Sequence, residues 1–173
     1  MPQLASLDEL RSALSLGAVG IGERHDKDWG RQPVMEWMLS GEVKGLILEI
    51  SVDDDDPHEM VLEMMEGLDL RWQNLVGYGD LLRLAKARSV DVYGWDPGDS
   101  FKVKSATTNA RNRNQQVIQS FMQRFAAGQH PSQAIQHAAG HVFLFGSNHF
   151  GLDRGSLNLL LADALPWLDC SKQ

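Results

Sequence analysis

At 173 residues and 19.3 kDa the chain has the length of one domain, and its 43% hydrophobic and 23% charged residues give a globular balance that excludes wholesale disorder. Its 23 acidic against 16 basic residues leave a net charge of −7, which argues against nucleic acid as a partner, because that affinity comes from neutralising phosphates. The single cysteine, Cys170, excludes a disulfide framework, a cysteine zinc site and an iron–sulfur cluster, and no apolar run approaches the ~20 residues of a membrane-spanning helix.

The start, Met1-Pro2-Gln3-Leu4-Ala5, lacks the basic and apolar regions of a secretory signal. The expected location is therefore cytoplasmic, or a target cell if the chain is delivered as an effector. Ser6-Leu7-Asp8-Glu9 reads as a helix cap, and the helix it opens ends near Gly17. Ala18-Val19-Gly20-Ile21 reads as a buried strand stopped by Gly22. Residues from about 30 to 39 carry Val34, Trp37 and Met38 at helical spacing. Gly45 to Ile50 is the clearest strand, apolar on both faces until Glu49. Asp53, Asp54, Asp55 and Asp56 before Pro57 read as a solvated helix entrance. Helices follow over His58–Glu66 and Gly79–Arg88, then a strand over Val90–Trp95 broken by Asp96-Pro97-Gly98. Thr107–Phe125 is a long helix with Val117, Ile118, Phe121 and Phe125 on one side, and Pro131–Ala139 a short one. His141 to Phe145 is a fourth strand, stopped by Gly146, and the last helix fits Ser156–Leu165. Helices alternating with short buried strands predict one compact α/β domain over residues 1–173, mainly a parallel sheet with helices on both faces.

Common catalytic motifs are missing. Gly17, Gly20 and Gly22 do not form G-x-G-x-x-G, and there is neither a P-loop nor H-E-x-x-H. Gly146-Ser147-Asn148 lacks the spacing of a nucleophile elbow. A positional pattern remains. The first strand runs into Gly22-Glu23-Arg24-His25, the second ends at Glu49, the third runs into Asp96, and the fourth into Gly146-Ser147-Asn148-His149. In a parallel sheet these ends share one edge, where ligands bind. Two glycine-x-x-histidine turns would aim His25 and His149 into a common cleft, with each glycine expected to supply a sharp turn. Glu23 and Glu49 would bring carboxylates to it. Such a cluster could bind a metal, activate water or form an acid–base pair. The plainer readings are a solvent-exposed strand end for Glu49 and a turn residue for Asp96. His58, His130, His137 and His141 read as surface or packing residues, and Trp29, Trp37, Trp72 and Trp95 as core. His149, just past a strand end, is expected at the cleft surface.

These motifs, with an arginine–asparagine pair on the long helix at Arg113-Asn114, resemble the TIKI/ChaN/erythromycin-esterase superfamily (an EreA/ChaN-like fold). Gly22-Glu23-Arg24-His25 matches its first histidine motif, Glu49 its strand-two glutamate, and Gly146-Ser147-Asn148-His149 its second histidine motif. Arg31 is similar to an arginine that follows the first motif in the esterases. The matched order spans residues 18 to 151, without the helical insertions of the esterases. The resemblance implies a site of Glu23, His25, Arg31, Glu49, Arg113, Asn114 and His149. It further implies hydrolysis of a small-molecule or peptide substrate. His25 or His149, held by Glu23 or Glu49, would activate water, and Arg113 or Arg31 would stabilise the oxyanion. A divalent metal (manganese, cobalt or zinc) on His25, Glu49 and His149 would assist. The ChaN branch implies instead a haem-binding or iron-uptake module, for which Met60, Met64 and Met65 are further candidate ligands. A third reading is an effector domain of a bacterial toxin.

Overall fold

The computed structural model describes residues 3–4, 6–50, 67, 75–96, 106–152 and 154–171. In chain order the elements are α1 (Leu7–Leu14), β1 (Val19–Glu23), α2 (Arg31–Leu39), β2 (Gly45–Leu48), α3 (Tyr78–Arg88), β3 (Asp91–Tyr93), α4 (Ala106–Ala126), α5 (Pro131–His137), β4 (His141–Gly146), α6 (Leu157–Leu160) and β5 (Trp167–Asp169). The strands form one sheet in the order β3-β2-β4-β1-β5, and every pairing is parallel.

Strand alternation builds two core layers. Along β4, Val142 and Leu144 pack with Leu10, Val34, Trp37, Met38 and Leu81, which come from α1, α2 and α3. Phe143 and Phe145 pack on the other face with Val117, Phe121, Ala134 and Leu157, from α4, α5 and α6. All six residues of β4 are buried, so the central strand reads as a continuous apolar run. Phe121 and Phe143 meet at 5.0 Å between ring centroids, and truncating either to alanine would cost about 3–5 kcal/mol. Helix α1 starts where the serine directs, with the Ser6 side chain accepting from the Glu9 amide at 3.2 Å.

Neighbouring strands β1 and β4 place the site. The chain leaves β1 for α2 on one face and leaves β4 for α6 on the other. Strand ends whose connections diverge are the usual ligand position in a parallel sheet. Glu23 stands opposite Gly146 in register, and Leu48 opposite Leu144, so Glu49 emerges beside the Gly146 turn.

Several sequence expectations change. The first strand runs on through Gly22 and includes Glu23. The second ends at Leu48, which frees Glu49 to bend toward the crevice. The last helix is only Leu157–Leu160. The tail forms an edge strand, β5, that pairs with β1 and carries Cys170 into the core. His141 is buried at the amino-terminal end of β4, over Gly45, at the edge away from the crevice. The acidic run Asp53–Asp56, the helix expected over His58–Glu66, and Trp72 lie outside the described residues. Among the described residues no helix is long and apolar enough to cross a membrane.

Candidate functional site

Glu49 is the hub. Its Oε1 lies 3.0 Å from His149 Nε2 and accepts from Arg113 Nη2 at 2.9 Å. Its Oε2 lies 3.2 Å from His25 Nε2 and accepts from the Gly146 amide at 2.7 Å. Four chain segments, reaching from His25 to His149, thus meet on one carboxylate. Burial alone would raise its pKa. The hydrogen bonds and charges of His149 and His25 overcome that and hold it well below the usual carboxylate range.

His149 is buried rather than at the cleft surface, with 1% of its area exposed. Its ring stands edge-on to Phe145 at 5.1 Å. Asn114 fixes its tautomer. The Asn114 amide nitrogen donates to the carbonyls of His149, at 3.0 Å, and Gly155, at 2.8 Å. Its oxygen is therefore the acceptor that faces His149 Nδ1 in a short hydrogen bond. Nδ1 must carry a proton, and Nε2 is the nitrogen turned toward Glu49 and Arg113.

The second arm descends from β1. Glu23 is 2% exposed. Its Oε1 accepts a short hydrogen bond from the Tyr78 hydroxyl and lies 3.3 Å from His25 Nδ1, while Arg31 Nε lies 3.4 Å from Oε2. His25 therefore sits between two carboxylates, with Glu23 at Nδ1 and Glu49 at Nε2. Partial burial lowers its pKa, but hydrogen bonds and charges from Glu23 and Glu49 prevail and push it up to about 10. At neutral pH His25 is a cation, with 40% of its side chain exposed. Tyr78 is pushed well above 10 by burial and by the Glu23 charge, so it stays a neutral donor.

Arg31 is fully buried, and Nη2 donates to the backbone carbonyls of His25 at 2.9 Å and Lys27 at 2.6 Å. Its guanidinium stacks on the Tyr78 ring at 4.7 Å. This places Arg31 behind the site, holding the Gly22–His25 turn, whereas the Arg113 side chain is 13% exposed. Arg113 forks across two carboxylates, with Nη1 on Asp96 at 2.9 Å and Nη2 on Glu49.

The fold thus brings together Glu23, His25, Glu49, Arg113, Asn114 and His149. Two further members stayed outside the sequence selection. Asp96 is 1% exposed and fixes Arg113; its place just past a strand end was the available signal. Tyr78 had none, because nothing local ties the first residue of α3 to Glu23, 55 positions earlier. Cys170 is no nucleophile: burial, with the charges of Asp169 and Glu23, raises its thiol to about 11.

A metal on His25, Glu49 and His149 does not fit. Among the described residues the group with metal-ligand spacing is Glu49, Asp96 and His149, whose ligand atoms lie within 4.8 Å of one another. His25 stands on the other oxygen of Glu49 and lies outside that group. Arg113 already contacts all three members of that group, at 2.9 Å from Glu49, 2.9 Å from Asp96 and 3.4 Å from His149. Haem fits no better among these residues. His149 is inaccessible to an axial position, His25 is held between carboxylates, and the cleft is charged where haem needs an apolar face. Met60, Met64 and Met65 lie outside the described residues.

No family model matches the chain, and no curated protein matches it. Among solved structures, that of the type III effector HopBA1 is similar at 19% sequence identity, over 87% of this chain and 76% of that chain. The TM-score is 0.46.

Proposed function

We propose that the chain is a member of the TIKI/ChaN/erythromycin-esterase superfamily and that its cleft hydrolyses an ester or amide bond in a small molecule or peptide without a metal. One observation carries this reading: Glu49 joins the Nε2 atoms of His149 and His25, at 3.0 and 3.2 Å, beside the Arg113 guanidinium. A base and an acid are thereby linked by one carboxylate, in environments that differ sharply.

The substrate carbonyl docks at the mouth, against His25 and Arg113. Water attacks the carbonyl carbon, and its proton passes to the Glu49–His149 pair. The electron pair displaced onto the carbonyl oxygen is stabilised by the Arg113 guanidinium and the His25 cation. When the intermediate collapses, the bond to the leaving group breaks and the leaving atom takes the His25 Nε2 proton. Relay of the water proton through Glu49 restores His25.

The experiment is a hydrolysis screen with purified protein on activated esters, lactones and peptides, with and without a chelator. Turnover that survives the chelator and disappears in His149→Ala is expected. Absence of turnover across all three classes would end the hydrolase reading.

A further inference from the structure

The three groups with metal-ligand spacing and the arginine that touches them define a relationship independent of turnover. Glu49, Asp96 and His149 are two carboxylates and an imidazole from β2, β3 and β4 ends, all within 4.8 Å. Such a set suits zinc or cobalt(II), with positions left open. The imidazole is prepared as in metal sites. Nδ1–H goes to the Asn114 oxygen, and Nε2 is the nitrogen presented to the group. Glu49 is likewise oriented from outside by the Gly146 amide. Yet the place of the ion is taken. The Arg113 guanidinium lies within 3.4 Å of all three residues, with its two terminal nitrogens on the two carboxylates. A divalent ion seated among them would meet a fixed positive charge at contact distance.

We infer that Arg113 is the resident cation of a latent divalent-metal site formed by Glu49, Asp96 and His149, and that it keeps the native cleft metal-free. Removing the guanidinium while keeping the three ligands converts the cleft into a zinc or cobalt(II) site.

The test uses the full chain and the metal alone. Wild type, His149→Ala, Arg113→Ala, Arg113→Met and the double variants of each Arg113 change with His149→Ala are titrated with cobalt(II), read by visible absorption. Folding is checked by circular dichroism, and Arg113→Met, which keeps the apolar stem, stands in if Arg113→Ala does not fold. Arg113→Ala or Arg113→Met is expected to gain a cobalt band that is lost with His149. Its affinity should exceed that of wild type on the order of 10²-fold or more, the influence of a unit charge about 4 Å away. A stoichiometric cobalt band in wild type that disappears in His149→Ala would overturn the inference. So would folded Arg113 variants that show no His149-dependent band. Neither outcome bears on whether the wild-type cleft hydrolyses a substrate.

Discussion

The Gly146 amide donates to Glu49 Oε2 at 2.7 Å, and the space where a Gly146 Cβ would stand is filled by Glu49 Oε2 and His25 Nε2, 3.0 and 3.1 Å away. The glycine is not there for an unusual turn. Its backbone, at φ −54° and ψ 144°, suits any residue. It is there because the carboxylate and the imidazole lie against the backbone. Gly146→Ala should therefore fold with a stability loss within about 1 kcal/mol. It should shift Glu49 and His25 by a few tenths of an ångström and lower kcat about tenfold, since small misplacements of reacting groups are costly. Unchanged kcat would mean that the Glu49–His25 contact is not part of the reaction.

His149→Ala should abolish hydrolysis and also lower stability. The side chain is buried, and its loss leaves the Asn114 oxygen without its ring donor. A destabilisation of about 1–3 kcal/mol is expected, measurable by urea unfolding, with far-UV circular dichroism retained. His149→Gln, which can still donate toward Asn114, should recover part of the stability and none of the activity.

Asn114→Leu separates positioning from chemistry. It removes two donors from the His149 and Gly155 carbonyls and the acceptor that holds Nδ1–H. Loss of about 2–4 kcal/mol is expected from the buried groups left unmatched. Nitrogen NMR of the histidines should show that the Nδ1–H tautomer of His149 no longer dominates. A wild-type tautomer pattern in the folded variant would refute this assignment.

The pH dependence follows from His25. Its folded-state pKa of about 10 lies above the ordinary 6.5, so its ion pairs contribute fully below pH 6.5 and fade as pH rises toward 10. Melting temperature should fall over that window, and His25→Gln should flatten the fall. Hydrolysis should have an alkaline limb near pH 10, where the acid loses its proton. Because Glu49 is held low, its contribution persists to acid pH and is lost only below the usual carboxylate range.

His141 provides the control. It lies at the opposite edge of the sheet, and burial lowers its pKa. An unfolded chain binds that proton more readily, so stability should decline as pH falls below 6.5. His141→Ala should leave kcat nearly unchanged, and a loss equal to that of His149→Ala would mean the site is misassigned.

The sequence alone determined the alternation of helices and strands, since capping at Ser6, helical spacing at Val34 and Trp37, and the apolar runs at Gly45 and His141 are short-range signals that the fold keeps. It also determined that Glu23, His25, Glu49, Asp96 and His149 stand at or just past strand ends. Strand β5 was not legible, because three residues at a sheet edge carry no periodicity and become a strand only by pairing with β1. Tertiary structure decided the rest. Strand order and register set which side chains meet, so Tyr78 reaches Glu23, Arg113 spans Glu49 and Asp96, and Asn114 locks His149. Those contacts, together with burial, fix the charge of His25 and the closed position of Arg31. Neither follows from the residues nearby in the chain, because both depend on partners that only the packed sheet brings within a few ångströms.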